Sequence, residues 1–142
     1  MGNLGGEVAR PPRRTVLIVE EDAFLRTMYG FLLEQDGFSV LSAPDGPSAM
    51  DLVGRHGGGI DLVVTDYMMP GTGGLEAWRE LRIARPGAEP EVLFLAGDPH
   101  KVQEALKAEG LDRPVLAKPF HPDAFLSVVR ALVGPRAATQ PE

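Results

Sequence analysis

Four charged residues stand directly behind short apolar runs: Glu20 and Glu21 behind Val16 to Val19, Asp66 behind Leu62 to Thr65, and Lys118 behind Val115 to Ala117. Carboxylates brought together repel one another, and a hard cation is the economical compensation. Mg²⁺ suits such a group, because it takes oxygen ligands in octahedral geometry and keeps several waters, so one or two side chains suffice. Asp66 then reads as a nucleophile that can take up a phosphoryl group as an acyl phosphate, with the Lys118 ammonium matched to a phosphoryl oxygen. Each residue alone has a plainer reading as a turn cap or a solvated strand end. Their value lies in convergence, which requires the runs to be parallel strands of one sheet with their carboxyl ends side by side.

The rest of the chain supplies that sheet. Short aliphatic or β-branched runs alternate with segments of helical period, the pattern of repeated βα units around a parallel sheet. Strands are expected at Thr15 to Val19, Ser39 to Ala43, Leu62 to Thr65, Val92 to Leu95 and Val115 to Ala117. The first helix carries Phe24, Leu25, Met28, Phe31 and Leu32 at helical spacing, expected to face the core, and ends at Gly37. Pro47 suits the first turn of the second helix, and Gly57 to Gly59 release it. The third begins near Gly74 and buries Leu75, Trp78 and Leu81; Asp98 with Pro99 is a cap-and-start signal for the fourth. The last, from about Pro122 to Leu132, offers Phe125, Val128, Val129 and Leu132 to the sheet. Residues 1–13 and 134–142, rich in Gly, Pro and small polar residues, read as disordered arms around one domain of residues 14–133.

Composition narrows the function. The 142 residues are 44% hydrophobic and 24% charged, ordinary for a globular domain with its own core. A net charge of −6 argues against a nucleic-acid-binding surface, which needs clustered Lys and Arg. The lack of Cys excludes disulfides and thiolate chemistry. No apolar run approaches the roughly 18 residues of a membrane helix, and no secretory h-region opens the chain, so a cytoplasmic protein is expected. His56, His100 and His121 are scattered without ligand spacing and read as surface residues.

With VLIVEED at Val16 to Asp22, LVVTDYMMPG at Leu62 to Gly71 followed by Gly74-Leu75, and AKPF at Ala117 to Phe120, the chain resembles the receiver domain of two-component response regulators over roughly Arg14 to Val133. The resemblance implies an α/β, flavodoxin-like fold: a doubly wound five-stranded parallel sheet of order 2-1-3-4-5, an arrangement the chemotaxis receiver CheY is known for. It implies phosphotransfer from a histidine kinase or phosphotransfer protein to Asp66, with Mg²⁺ held by Glu20, Glu21, Asp66 and the Met68 carbonyl. Lys118 would contact the phosphoryl group, and a cis bond is common in the family at the position of Lys118-Pro119. Such a module is a phosphoacceptor rather than an enzyme in the ordinary sense. A kinase would dock on helix one and the loop after Lys118, while an effector or a second copy would use the face of helix four, strand five and helix five.

The sequence departs from the family pattern at Ala96, where receivers usually place Ser or Thr, and at Val115, where they usually place Tyr or Phe; both switch positions are atypical. Glu21 stands where Asp is common, and its extra methylene displaces the carboxylate. Asp22 is the alternative ligand, although it reads well as a helix N-cap. Gly71 to Gly74 predicts an unusually flexible loop. These departures keep open a phosphorylation-independent pseudo-receiver that acts only through its surface. An aspartyl phosphatase would want a second acid two residues after Asp66, where Met68 stands, and the glycines form no nucleotide-binding signature. No DNA-binding module is evident after the sheet.

Overall fold

A computed structural model of the chain describes residues 14–57, 59–67 and 73–134. Five strands alternate with five helices: β1 (Thr15–Val19), α1 (Ala23–Gln35), β2 (Ser39–Ala43), α2 (Gly46–His56), β3 (Leu62–Asp66), α3 (Gly74–Ala84), β4 (Glu91–Ala96), α4 (Pro99–Ala108), β5 (Val115–Ala117) and α5 (Pro122–Val133). The strands form one parallel sheet in the order β2-β1-β3-β4-β5. The arms expected at residues 1–13 and 134–142 lie outside the described residues, apart from Gly134.

Two apolar layers hold the sheet. Leu17, Val19, Val63, Val92 and Phe94 point to one face, covered by Ala49 of α2, Trp78 and Leu81 of α3, and Val102 and Leu106 of α4. Val16, Ile18, Leu62, Val64, Leu93 and Leu95 point to the other, covered by Tyr29 and Leu33 of α1 and Phe125, Val129 and Val133 of α5. The central strands are apolar on both sides because helices cover both sides. Trp78 donates its indole N–H to the Pro90 carbonyl at 2.9 Å, so its buried polar atom is satisfied.

Helix ends follow their side chains. Asp22, Asp45 and Asp98 each accept a backbone N–H from three residues on, at 3.0, 2.8 and 3.1 Å. His121 caps α5 by accepting from Asp123 N–H at 3.2 Å, a structural use of a histidine that its sequence context did not signal. One expectation fails on α1. Phe24, Met28 and Phe31 face outward, and the buried positions are Tyr29, Gly30 and Leu33, with Leu25 and Leu32 packed beside them. The helix is apolar on two sides, and the periodicity alone could not say which side meets the sheet.

Candidate functional site

The sheet order reverses between β1 and β3, the point at which a doubly wound fold opens a crevice beyond its carboxyl strand ends. Val19 of β1 pairs with Thr65 of β3, so Glu20 and Asp66 occupy the next rung at that opening. On the far side Ala96 pairs with Ala117, and Lys118 N–H donates to the Ala96 carbonyl at 2.8 Å, which aims the Lys118 side chain back across β4. Lys118 Nζ donates to Asp66 Oδ2 in an ion pair that is mostly shielded from solvent. The following Lys118-Pro119 peptide is cis.

Glu20 is tied down on its backbone and strained in its charge. Its N–H donates to the Ala43 carbonyl at 3.0 Å, and Oε2 accepts from Asp22 N–H at 3.0 Å. The residue is 5% exposed, and Oε1 is buried without a hydrogen-bond partner. Burial pushes the Glu20 carboxyl up; the Asp22 N–H bond and the Lys118 charge oppose this, and Asp66 and Asp22 reinforce it. The same acids reach Tyr29, whose phenol is pushed up to about 12, first by burial and then by Glu20, Asp66 and Asp22. Sequence reasoning did not single out Tyr29; an aromatic hydroxyl in the middle of an apolar helix was the available signal.

Glu21 is exposed, and its carbonyl, with that of Glu20, accepts from the Arg26 guanidinium at 3.3 and 2.8 Å. Asp22, not Glu21, is the second acid whose charge is felt at Glu20 and Tyr29. The structure therefore brings Glu20, Asp66 and Lys118 together, with Asp22 in their field and Glu21 at the rim. Met68 lies outside the described residues. Among those residues no group of three or more His, Asp or Glu side chains closes into a metal cage. A buried carboxylate oxygen lacking a donor, beside a second carboxylate, still fits a hard cation that brings most of its own ligands as water.

The entrance to α3 is shaped by a close approach. A Cβ on Gly74 would sit 2.1 Å from Thr65 Oγ1 and 2.3 Å from Thr65 Cβ, so glycine is required for the helix start to pack against the end of β3. Gly73 and Gly74 are both buried, and Gly74 opens α3 as expected; residues 71 and 72 of the glycine run lie outside the described set. Ala96 is fully buried in the same layer as Phe94, against which Tyr67 packs edge-on at 5.5 Å, and Val115 borders that layer.

Comparison with known families decides the identity: the response regulator receiver domain matches residues 16–130. The chain belongs to the response regulator receiver family. Phosphorylation and Mg²⁺ are typical of this family, and the flavodoxin-like topology observed is its fold. The alkaline phosphatase synthesis transcriptional regulatory protein SphR of Synechococcus elongatus is 32% identical over 140 residues, covering 94% of this chain and 53% of that protein. The transcriptional regulatory protein CpxR of Escherichia coli is 30% identical over 118 residues, 83% of this chain and 48% of that protein. The chain thus spans about half the length of these curated relatives. Among solved structures, a receiver protein from Burkholderia phymatum superposes with a TM-score of 0.72 at 29% identity, covering 88% of this receiver and 98% of that chain. The regulator TrrA from Thermotoga maritima, solved in complex with Mg²⁺-BeF, superposes at 0.67 with 25% identity over 84% of this receiver and 98% of that chain. No helix among the described residues of the receiver is long and apolar enough to cross a membrane.

Proposed function

We propose that this receiver takes a phosphoryl group onto Asp66 from a histidine kinase or phosphotransfer protein in the cytoplasm and signals through protein contacts, without turning over a substrate of its own. The observation that carries the reading is the buried, partnerless Glu20 oxygen beside the Asp66–Lys118 pair at the topological switch point. Glu20 and Asp66 would hold Mg²⁺, with Glu21 or Asp22 reaching it through water and Met68 offering its carbonyl. Bound there, the ion would supply positive charge to the oxygens of the transferring group.

The side chains divide the remaining work. Lys118 holds Asp66 Oδ2 and so orients the carboxylate; its ammonium is placed to follow the charge onto a phosphoryl oxygen. An Asp66 oxygen attacks phosphorus as the donor's P–N bond breaks, leaving an acyl phosphate and a neutral donor imidazole. The Arg26 clamp on the carbonyls of Glu20 and Glu21 fixes the loop carrying both acids.

A second reading, a pseudo-receiver that signals without phosphorylation, draws support from Ala96, Val115 and the outward Glu21. Incubation with acetyl phosphate and Mg²⁺, read by intact mass, separates the two. The phosphoacceptor reading expects a gain of one phosphoryl group that disappears in Asp66→Ala. No gain, or a gain that persists in Asp66→Ala, rejects it.

A further inference from the structure

We propose that two arginines held on the Trp78 ring form a docking site for an acidic, partly apolar segment of another protein, at the rim of the sheet opposite Asp66. Arg82 stands in the last turn of α3 and Arg113 in the loop leading into β5, so both lie at the amino ends of the strands, away from the phosphoacceptor and from α1. Their guanidinium carbons are 4.6 and 5.1 Å from the centroid of Trp78, whose buried ring is anchored by its own N–H to the Pro90 carbonyl. Stacking of this kind fixes a guanidinium by its face and leaves the N–H groups in its plane available.

Nothing neutralises these two cations. Arg14, Arg55, Arg79 and Arg130 each pair with a carboxylate, and Arg26 is taken up by the Glu20 and Glu21 carbonyls. Acids outnumber Lys and Arg by 20 to 14, yet among the described residues neither Arg82 nor Arg113 has a carboxylate within ion-pair distance. Arg113 Nε is also buried with no acceptor, so part of its fork is unsatisfied in the free protein. The nearby acids are otherwise engaged: Glu89 accepts from Gly87 N–H at 3.4 Å, and Glu109 pairs with Arg79. The carboxyl end of α3 favours a cation in its last turn, which accounts for Arg82 being there and not for its fork lacking an acceptor.

Shape and spacing select the occupant. Arg82 lies in an open cleft of about 370 Å³ with Arg79, Ile83 and Glu89, and Arg113 in a second of about 340 Å³ beside Lys107 and Leu111. Ile83 is 78% exposed, the only large hydrophobic residue outside α1 to be so among the described ones. Because both cations lie against one ring they are about 10 Å apart at most, a gap that two carboxylates at i and i+2 of an extended segment, about 7 Å apart along the chain, span with their side chains. An apolar residue two further along shares their face and covers Ile83, whereas a free phosphate fills one fork and leaves Ile83 in water. A chain of net charge −6 repels an acidic partner elsewhere on its surface, so the attraction is confined to this patch and fades with salt. None of this depends on phosphoryl uptake at Asp66.

Trp78 is the only tryptophan in the chain, so its indole N–H resonance reports on this site alone. The full chain is titrated with a peptide blocked at both ends, leucine-serine-glutamate-serine-glutamate-serine-leucine, and followed by the Trp78 indole and the Ile83 and Leu111 amides in heteronuclear NMR. The expected result is a saturable shift that weakens with added NaCl and whose affinity falls at least about tenfold in Arg82→Gln/Arg113→Gln. Arg82→Lys/Arg113→Lys, which keeps both charges and loses the forks, should bind several-fold more weakly than the parent, while Arg55→Gln and Asp66→Asn should bind as the parent does. Matching circular dichroism melts of the variants and the parent show that the fold is intact. The absence of a shift up to about 10 mM peptide overturns the proposal. So does equal binding of the glutamine version of the peptide, an equal loss in Arg55→Gln, or inorganic phosphate producing the same shifts at the same concentration, which assigns the forks to a free anion.

Discussion

Replacing Glu20 with Gln should make the metal-free protein more stable and the Mg²⁺-loaded protein less so. The Glu20 carboxylate is buried with Oε1 lacking a donor, and leaving a buried polar atom unsatisfied costs about 1–3 kcal/mol. The amide oxygen of Gln can keep the Asp22 N–H bond, and its NH₂ can donate to a neighbouring acid, while the lost attraction to Lys118 is worth less than about 1 kcal/mol at a partly solvated pair. A net gain of about 1 kcal/mol follows, about 4 °C in Tm for a domain of this size. Because burial raises the Glu20 carboxyl above its ordinary 4.5, the folded state binds more protons than the unfolded one above that value. Stability is therefore lost as pH rises through the window that starts there, and the Gln advantage is present at pH ~7 and gone at pH ~4. With free Mg²⁺ at about a hundred times its Kd the parent gains about 2.7 kcal/mol and overtakes the variant by about 1.5 kcal/mol. Urea unfolding in EDTA and in MgCl₂ reads both orders. A Gln variant that is less stable in EDTA, or that gains as much from Mg²⁺ as the parent, refutes the reasoning.

Gly74→Ala should cost at least about 1–3 kcal/mol in chemical denaturation, and adding Thr65→Ala should not rescue it, because the Thr65 Cβ itself lies 2.3 Å from the new methyl. Lys118→Ala should slow acyl phosphate formation from acetyl phosphate about 10²- to 10³-fold while leaving the circular dichroism spectrum unchanged, the loss typical of removing one positioned electrostatic partner. The Tyr29 phenol stays protonated to about 12 in the folded state against 10.0 ordinarily, so stability is lost as pH rises between those values. Tyr29→Phe should remove up to about 1 kcal/mol of that loss at pH ~11, measured by urea midpoints.

The strands were legible because each is a short apolar run bounded by turn residues, and the central ones are buried on both faces; no competing element can be drawn through Val16 to Val19 or Leu62 to Thr65. Asp22, Asp45 and Asp98 marked three helix starts through a single local hydrogen bond each, which sequence carries in full. Residue types also placed Glu20, Asp66 and Lys118 at one rim, since a parallel sheet brings successive strand ends to the same side. The ranking of Glu21 and Asp22 was not legible in the same way. Both are exposed, and what distinguishes them is the Arg26 hold on the loop and the Asp22 side chain capping α1 while its N–H donates to Glu20, contacts that exist only after folding. Gly74 was legible as a helix start but not as a packing contact, because a glycine needed for a 2.1 Å approach and one that merely opens a helix are the same letter.

The reversal of α1 bears most on what the receiver can do. Its sequence offers two apolar stripes, Phe24–Met28–Phe31 and Leu25–Tyr29–Leu32/Leu33, separated by about one residue of rotation, and a helix two-sided in this way has no preferred inward face until a sheet is present. With the second stripe inward, Tyr29 meets the rings of Phe120 and Phe125 in tilted contacts, both at 5.6 Å between centroids, closing the layer beneath α5. Burying Phe24 and Phe31 instead would turn Tyr29 outward and break that aromatic cluster. Core packing thus leaves two phenylalanines in solvent beside the phosphoacceptor rim, and a folded surface that keeps them there without a covering partner exposes about 260 Å² of aromatic area to water at a cost of about 6 kcal/mol relative to burial.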